Sequence, residues 1–156
     1  MTNNENLSEI PIWMTHQSSK YEKRLKNALR EYGKLKEGDC IAIESGCESG
    51  IGWILNTNPP KEGNPEGLRK CFISILNKIT ELKLETISFC CIGTRKKGFC
   101  IGFHNDAAAQ IAIQTVGTFL KNHLQLRIPF IRRIGFFVNS DTDRKCYQQL
   151  LPALCK

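Results

Sequence analysis

The spacing of apolar positions divides the chain into elements. From Ser19 to Tyr32, the residues Tyr21, Leu25, Ala28, Leu29 and Tyr32 recur at helical intervals among cations. Ser18 or Ser19 can cap that helix and Gly33 can end it. Asp39 to Glu44 (DCIAIE) and Ile51 to Leu55 (IGWIL) read as strands either side of a turn at Ser45 to Ser49. Asn56 to Gly67 holds three prolines and two glycines and reads as a loop. Leu68, Cys71, Phe72, Ile75, Leu76, Ile79 and Leu82 then mark an amphipathic helix over Leu68 to Leu82. Thr86 to Ile92 is β-branched and apolar, as in a strand covered on both faces, and Arg132 to Val138 (RRIGFFV) is of the same buried type. Between them a helix runs from about Asn105 to His123, its core stripe formed by Ala108, Ile111, Ala112, Thr115, Val116, Phe119 and Leu120. Asp141 or Thr142 can cap a last helix ending near Pro152.

The order α-β-β-α-β-α-β-α predicts a three-layer α/β domain with a largely parallel sheet. Ligands of such sheets sit beyond the carboxyl ends of the strands, in loops that lead into helices. Gly93 to Gly102 and Asn139 to Asp143 are the two such loops, and parallel strands would open both on one edge. Residues 1–18 read as an irregular arm with one strand-like run, Ile10 to Met14 (IPIWM), and residues 19–156 as one domain.

Composition adds a frame. The 156 residues support a single core, and 41% hydrophobic with 24% charged residues indicates a globular chain. No run approaches about 18 uncharged apolar residues, so no transmembrane helix or membrane partner is expected. The N-terminus lacks a basic stretch followed by an apolar one, and the expected setting is intracellular, cytoplasmic or nuclear. A net charge of +7 favours anionic partners such as nucleotides or nucleic acid. The eight cysteines form no C-x-x-C pair and are not grouped with His16, His104 or His123, which argues against a zinc site. Cys90 and Cys91 point to opposite faces of a strand and make no metal trio with Cys100. Reduced, buried or partly buried thiols are expected, and no cofactor is implied.

Several stretches carry a family resemblance. EYGKLKEGDCIAIESG resembles a helix end, a small-residue turn and a "G-x-x-x-x-T-x-G" strand. GWILNTNPP resembles "y-I-I-H-t-V-G-P", with Asn56 where histidine is common. LRKCFISILNKITELKLETISFCCIGT and GFCIGFHNDAAAQIAIQTVGTFL resemble the helix, "S-I-A-F-P-A-I-G-T" strand and following helix of the same pattern. IRRIGFFVNSDTDRKCYQQLL resembles its last strand and helix. From about Tyr21 to Leu151 the chain resembles a macro domain, the ADP-ribose-binding fold. It looks closest to macro domains of poly-ADP-ribosyltransferase-associated proteins. The implied fold is a three-layer α/β macro-like domain with a mixed sheet, N-terminally reduced.

The departures shape the functional expectation. The family's "G-D-I-T", "N-A-A-N" and "G-G-G" segments, which serve adenine and the distal ribose, have no counterpart here. Hydrolytic members rely on them, so cleavage of ADP-ribosyl bonds by that mechanism is not expected, and no catalytic residue is assigned. A truncated gene product fits the same pattern. The second missing strand is central in the family sheet. Ile10 to Met14 filling its place, direct pairing of the flanking strands, or a strand-donating protein partner would each close the gap.

The remaining site is the loop CCIGTRKKGFC, which resembles the family's "[SG]-T-G-x-x-G-[FY]-P" diphosphate loop. Gly93, Thr94, Gly98 and Phe99 match, and Phe99 falls where an aromatic ring packs on the distal ribose. Arg95 replaces a glycine and Cys100 a proline. Arginine tolerates positive φ and close ligand approach less well than glycine. Arg95, Lys96 and Lys97 offer phosphate pairs instead, each contributing up to about 1 kcal/mol if exposed. A lost backbone contact to a charged phosphate costs roughly 1.5–3 kcal/mol, so the balance predicts weak binding. Asn139 falls where the resemblance places a residue near adenine. The expectation is a degenerate module for ADP-ribose, an ADP-ribosylated protein or a related nucleotide diphosphate. The alternatives are an ADP-ribosyl hydrolase and a basic protein that contacts RNA or poly-ADP-ribose through charge.

Overall fold

The computed structural model describes residues 18–46, 50–61, 63–94, 102–125, 131–138 and 140–155. The strand-like run Ile10 to Met14 lies outside them. Along the chain come α1 (Ser18–Tyr32), β1 (Cys40–Glu44), β2 (Trp53–Thr57), α2 (Pro65–Glu81), β3 (Thr86–Phe89), α3 (Asn105–Gln125), β4 (Arg133–Phe136) and α4 (Asp141–Leu150), closed by a 3₁₀ turn at Leu151–Cys155. The predicted order of elements holds throughout. Gly33 ends α1 in the left-handed region (φ 85) and donates its N–H to the Leu29 carbonyl. α2 begins three residues earlier than its apolar stripe suggested. The Asn64 side chain accepts the Gly67 N–H at 3.0 Å and Pro65 occupies the first helical position, where its missing N–H is no loss.

Strand pairing is mixed. β1 and β2 are antiparallel, with Cys40 opposite Thr57 and Glu44 opposite Trp53. β3 and β4 are parallel, with Thr86 opposite Arg133 and Phe89 opposite Phe136. Among the described residues these are two separate two-stranded sheets, so β2 and β3 do not pair directly. The two faces of the β1–β2 pair serve different helices. Ile41, Ile43 and Ile54 pack under Tyr21 and Leu25 of α1, whereas Cys40 and Leu55 join the cluster built on α2 and α3. Helix, sheet and helix thus make the three layers.

That second cluster is the main core. Leu68, Phe72, Leu76, Ile79 and Val116 are fully buried. Four rings run in series through it: Phe72 to Phe89 at 5.5 Å, Phe89 to Phe136 at 5.6 Å, and Phe136 to Tyr147 at 4.9 Å between centroids. They tie α2, β3, β4 and α4 into one body, since tilted or offset rings attract beyond the area they bury. The expectation that β3 and β4 are covered on both faces is corrected here. Ile87, Phe89, Ile134 and Phe136 face the core, while Thr86, Ser88 and Arg133 are exposed, so each strand alternates.

Cys40 and Cys71 are buried, Cys91 and Cys146 are half-buried, and all four are free thiols. Cys90 departs from the expected packing by being exposed. No helix among the described residues is long and apolar enough to cross a membrane. Because Phe72 is fully buried in the core cluster and stacks on Phe89 of β3, Phe72→Ala should destabilise the fold by roughly 3–5 kcal/mol, read as a lower urea midpoint.

Candidate functional site

The carboxyl ends of the parallel strands β3 and β4 open on one edge, as the strand order required. Beyond β3 the chain turns at Gly93, whose φ of 75 lies in the left-handed region. A Cβ there would meet Leu68 Cδ1 at 2.9 Å, with Phe103 Cδ2 at 3.7 Å. Backbone conformation and space therefore both select glycine at this position. The Gly93 carbonyl accepts the Phe103 N–H at 2.7 Å, and Thr94 bridges Phe103 in parallel. Thr94 also donates its hydroxyl to the Cys91 carbonyl at 3.1 Å. These bonds pinch the two ends of the loop together. Two residues after Phe103, α3 begins, so the pinched loop opens directly onto a helix N-terminus.

A buried carboxylate joins this edge to the second loop. Asp143, 4% exposed, accepts the Asn105 amide at 2.5 Å and the Ser140 hydroxyl at 2.7 Å. Ser140 in turn caps α4 by accepting the Asp143 N–H at 3.1 Å. Asn105 is the first residue of α3 and Ser140 the cap of α4. One side chain therefore holds the starts of both helices together. Helix starts carry positive dipole ends that suit anions, and here part of that donor capacity is already used, the Asp106 carboxylate taking the Ala107 N–H at 2.8 Å and Ser140 the Asp143 N–H. The sequence reading took Asp143 only as the end of a loop. Its signal was the spacing Ser140-x-x-Asp143, which is a capping pattern.

Of the predicted ligand residues, Gly93 and Thr94 stand at the start of this edge. Arg95, Lys96, Lys97, Gly98, Phe99 and Asn139 lie outside the described residues, as does Cys100. Asn56, the residue at the family's histidine position, accepts the Tyr21 hydroxyl at 2.8 Å and so serves the α1–β2 contact. Among the described residues no group of three histidine, cysteine or carboxylate side chains is placed to hold a metal.

Cys91 sits beneath the edge with its thiol toward the Phe137 carbonyl at 3.7 Å. Burial first, and then the nearby Asp143 charge, push this thiol up to about 12. Burial likewise pushes Cys40 up to about 12. Both remain protonated at neutral pH and are poor nucleophiles.

The arrangement is a strand, a pinched glycine turn and a helix start, repeated beside a second helix start on a shared sheet edge. This is an α/β module with two helix starts on one sheet edge. A macro domain family model matches residues 11–112, and the chain belongs to the macro domain family. It is 30% identical over 128 residues to the ADP-ribose glycohydrolase MACROD2 of Xenopus laevis, covering 78% of this chain and 28% of that one. It is 31% identical over 101 residues to a protein-ADP-ribose hydrolase of Staphylococcus aureus, covering 65% of this chain and 35% of that one. Among solved structures, the macro domain of ganglioside-induced differentiation-associated protein 2 superposes with a TM-score of 0.68 at 26% identity, covering 83% of this chain and 63% of that one. An Oceanobacillus iheyensis macrodomain with ADP superposes with a TM-score of 0.63 at 25% identity, covering 87% of this chain and 68% of that one. The chain spans about a third of the length of the hydrolases it matches.

Two outcomes test the site's construction. Gly93→Ala should lower stability by about 1–3 kcal/mol through strain at positive φ and contact with Leu68, seen as a shifted denaturation midpoint. The second concerns pH. The Cys91 thiol keeps its proton in the folded chain up to about 12, whereas the unfolded chain releases it near the ordinary value of about 9. Stability from this group is full below that unfolded value and is lost as pH rises through the folded one. Urea midpoints should therefore fall as pH rises from about 9 towards about 12, and Cys91→Ala should reduce the fall.

Proposed function

We propose that the protein is a macro-type binding module that takes ADP-ribose, or an ADP-ribosyl group on a protein, weakly through its diphosphate. The observation that carries this reading is the Gly93 turn, closed by the Phe103 N–H and opening onto the start of α3 beside the start of α4. The names of the relatives support the ligand class. Binding without cleavage is the preferred reading, because the sequence carries no "N-A-A-N" or triple-glycine segment. Weakness is expected from Arg95 where the family pattern carries glycine: arginine tolerates positive φ and close ligand approach less well, and the charges of Arg95 to Lys97 offset only part of that loss.

The proposal includes a strand-donating protein partner. Ser45 N–H bonds to the Gly52 carbonyl, so by alternation Ile54 and Asn56 face β1, and Trp53, Leu55 and Thr57 direct their backbone groups away. On β3 the Phe89 and Glu85 carbonyls accept from the β4 side, which leaves Thr86 and Ser88 directed outward. Among the described residues both edges are unpaired and border the core built on α2, and an added strand would satisfy them.

Calorimetry tests the ligand. ADP-ribose should give a saturable titration that Gly98→Glu abolishes by placing a carboxylate against the diphosphate. Absence of heat at millimolar ligand overturns the reading, and release of ADP-ribose from a modified protein replaces it with hydrolysis. Size measurement tests the partner: a stable monomer that captures no strand peptide removes that part.

A further inference from the structure

The carboxylate of Asp143 is a costly way to join two helices. It is 4% exposed, and both oxygens are used, one by the Asn105 amide at 2.5 Å and the other by the Ser140 hydroxyl at 2.7 Å. Both donors are neutral, and among the described residues no cation pairs with it. The start of α4, where Asp143 stands in the first turn, offsets part of the cost of burying the charge. A neutral tie of the same shape would avoid that cost altogether. Departures of this kind gather at functional positions.

The bond to Asn105 joins the two loops of the edge. Asn105 follows by two positions Phe103, whose N–H closes the Gly93 turn at 2.7 Å. Ser140, on the other side of the carboxylate, caps α4 and ends the second loop. Tyr147 and Leu150 pack on the core and hold α4 close. Such packing fixes proximity better than direction, whereas a hydrogen bond between the two helix starts fixes both.

We propose that Asp143 is a positioning residue for ADP-ribose: through Asn105 it sets where the second loop lies relative to the Gly93 turn, so that a ligand long enough to reach both is held at two points. This assignment rests on the ADP-ribose reading of the edge. ADP-ribose carries a sugar on either side of its diphosphate and a base beyond one of them, so it extends past a turn that holds the diphosphate alone. Fixing both contact regions before the ligand arrives lowers the ordering cost of binding. A ligand that fits within the turn, such as inorganic pyrophosphate, gains nothing from the tie. The negative charge of Asp143 does not favour a diphosphate either, so its removal does not weaken pyrophosphate. The tie therefore selects for the longer ligand from a buried position behind the edge.

Titration of the full chain with ADP-ribose and with inorganic pyrophosphate, followed by NMR amide shifts, tests the proposal. Asn105→Ala cuts the link and leaves Ser140 and Asp143 bonded to each other at the start of α4. It should weaken ADP-ribose about tenfold and change pyrophosphate by less than about twofold. Asp143→Ala should weaken ADP-ribose at least as much, while pyrophosphate binds as well or better. The double variant should bind ADP-ribose no more weakly than Asp143→Ala alone, because both substitutions cut the same bond. Where Asp143→Ala does not fold, Asn105→Ala decides alone. Equal loss of both ligands reduces the tie to support of the fold and overturns the assignment. So does an ADP-ribose affinity that Asn105→Ala leaves unchanged, or a wild type that takes ADP-ribose but no pyrophosphate, since the turn by itself then holds no diphosphate. A wild type that takes no ADP-ribose overturns the reading of the edge itself, and this assignment with it, before any variant is compared.

Discussion

The buried stripe of α2 is the constraint on which the other elements depend. Leu68, Phe72, Leu76 and Ile79 leave no surface exposed, and the elements around them would not otherwise meet. Cys40 and Leu55 bring one sheet to this stripe, Phe89 and Ile87 the other, and Ala108, Ala112 and Val116 bring α3. Small alanines on α3 let the two helices approach closely, which is how a core reaches native packing density. Leu68 also reaches the functional edge, because its methyl groups occupy the space a side chain at position 93 would need. Core packing and the shape of the Gly93 turn are therefore one constraint seen from two sides. A larger residue at Gly93 would disturb the helix stripe, and a smaller one at Leu68 would loosen the turn.

Much of this was legible because α2 and α3 carry long, strict helical periodicity, which a sequence displays without help from tertiary context. The strands were harder. Thr86 to Ile92 is apolar enough to suggest burial on both faces, yet Thr86 and Ser88 are exposed. Thr and Ser satisfy β propensity and surface exposure alike, so composition alone could not separate the two cases. The start of α2 was misread for a local reason: three prolines and two glycines suggested loop throughout Asn56 to Gly67. Asn64 followed by Pro65 is a start signal that propensity hides. The turn at Gly93 was legible from a glycine standing between a strand and a helix. The Asp143 tie could not, because Asn105 and Asp143 are 38 positions apart and meet only when β3 and β4 are parallel neighbours.

The sheet edge and the outer face of α1 present donors of different kinds. At the sheet edge, donors are backbone N–H groups fixed by turns and helix starts, so their direction is set before a ligand arrives. On α1 the donors are flexible side chains, strongly screened and sensitive to salt. Total charge could not have made that distinction. It required knowing that the cations of α1 face away from the core.

The division of the sheet sharpens the same point. In a continuous sheet, backbone pairing between β2 and β3 would hold the α1–β1–β2 layer to the β3–β4 layer. Here, among the described residues, side chains packed on α2 perform that coupling. Side-chain packing is less directional than a hydrogen-bonded ladder, since contacts of many geometries bury similar area. The relative placement of the two pairs is consequently governed by the fit of Leu55, Phe72 and Phe89 against one another rather than by register. An added strand would replace that softer coupling with a fixed register across the domain. The turn at Gly93 follows β3, whose outward edge that strand would engage, so a strand partner would stiffen the very element that leads into this turn.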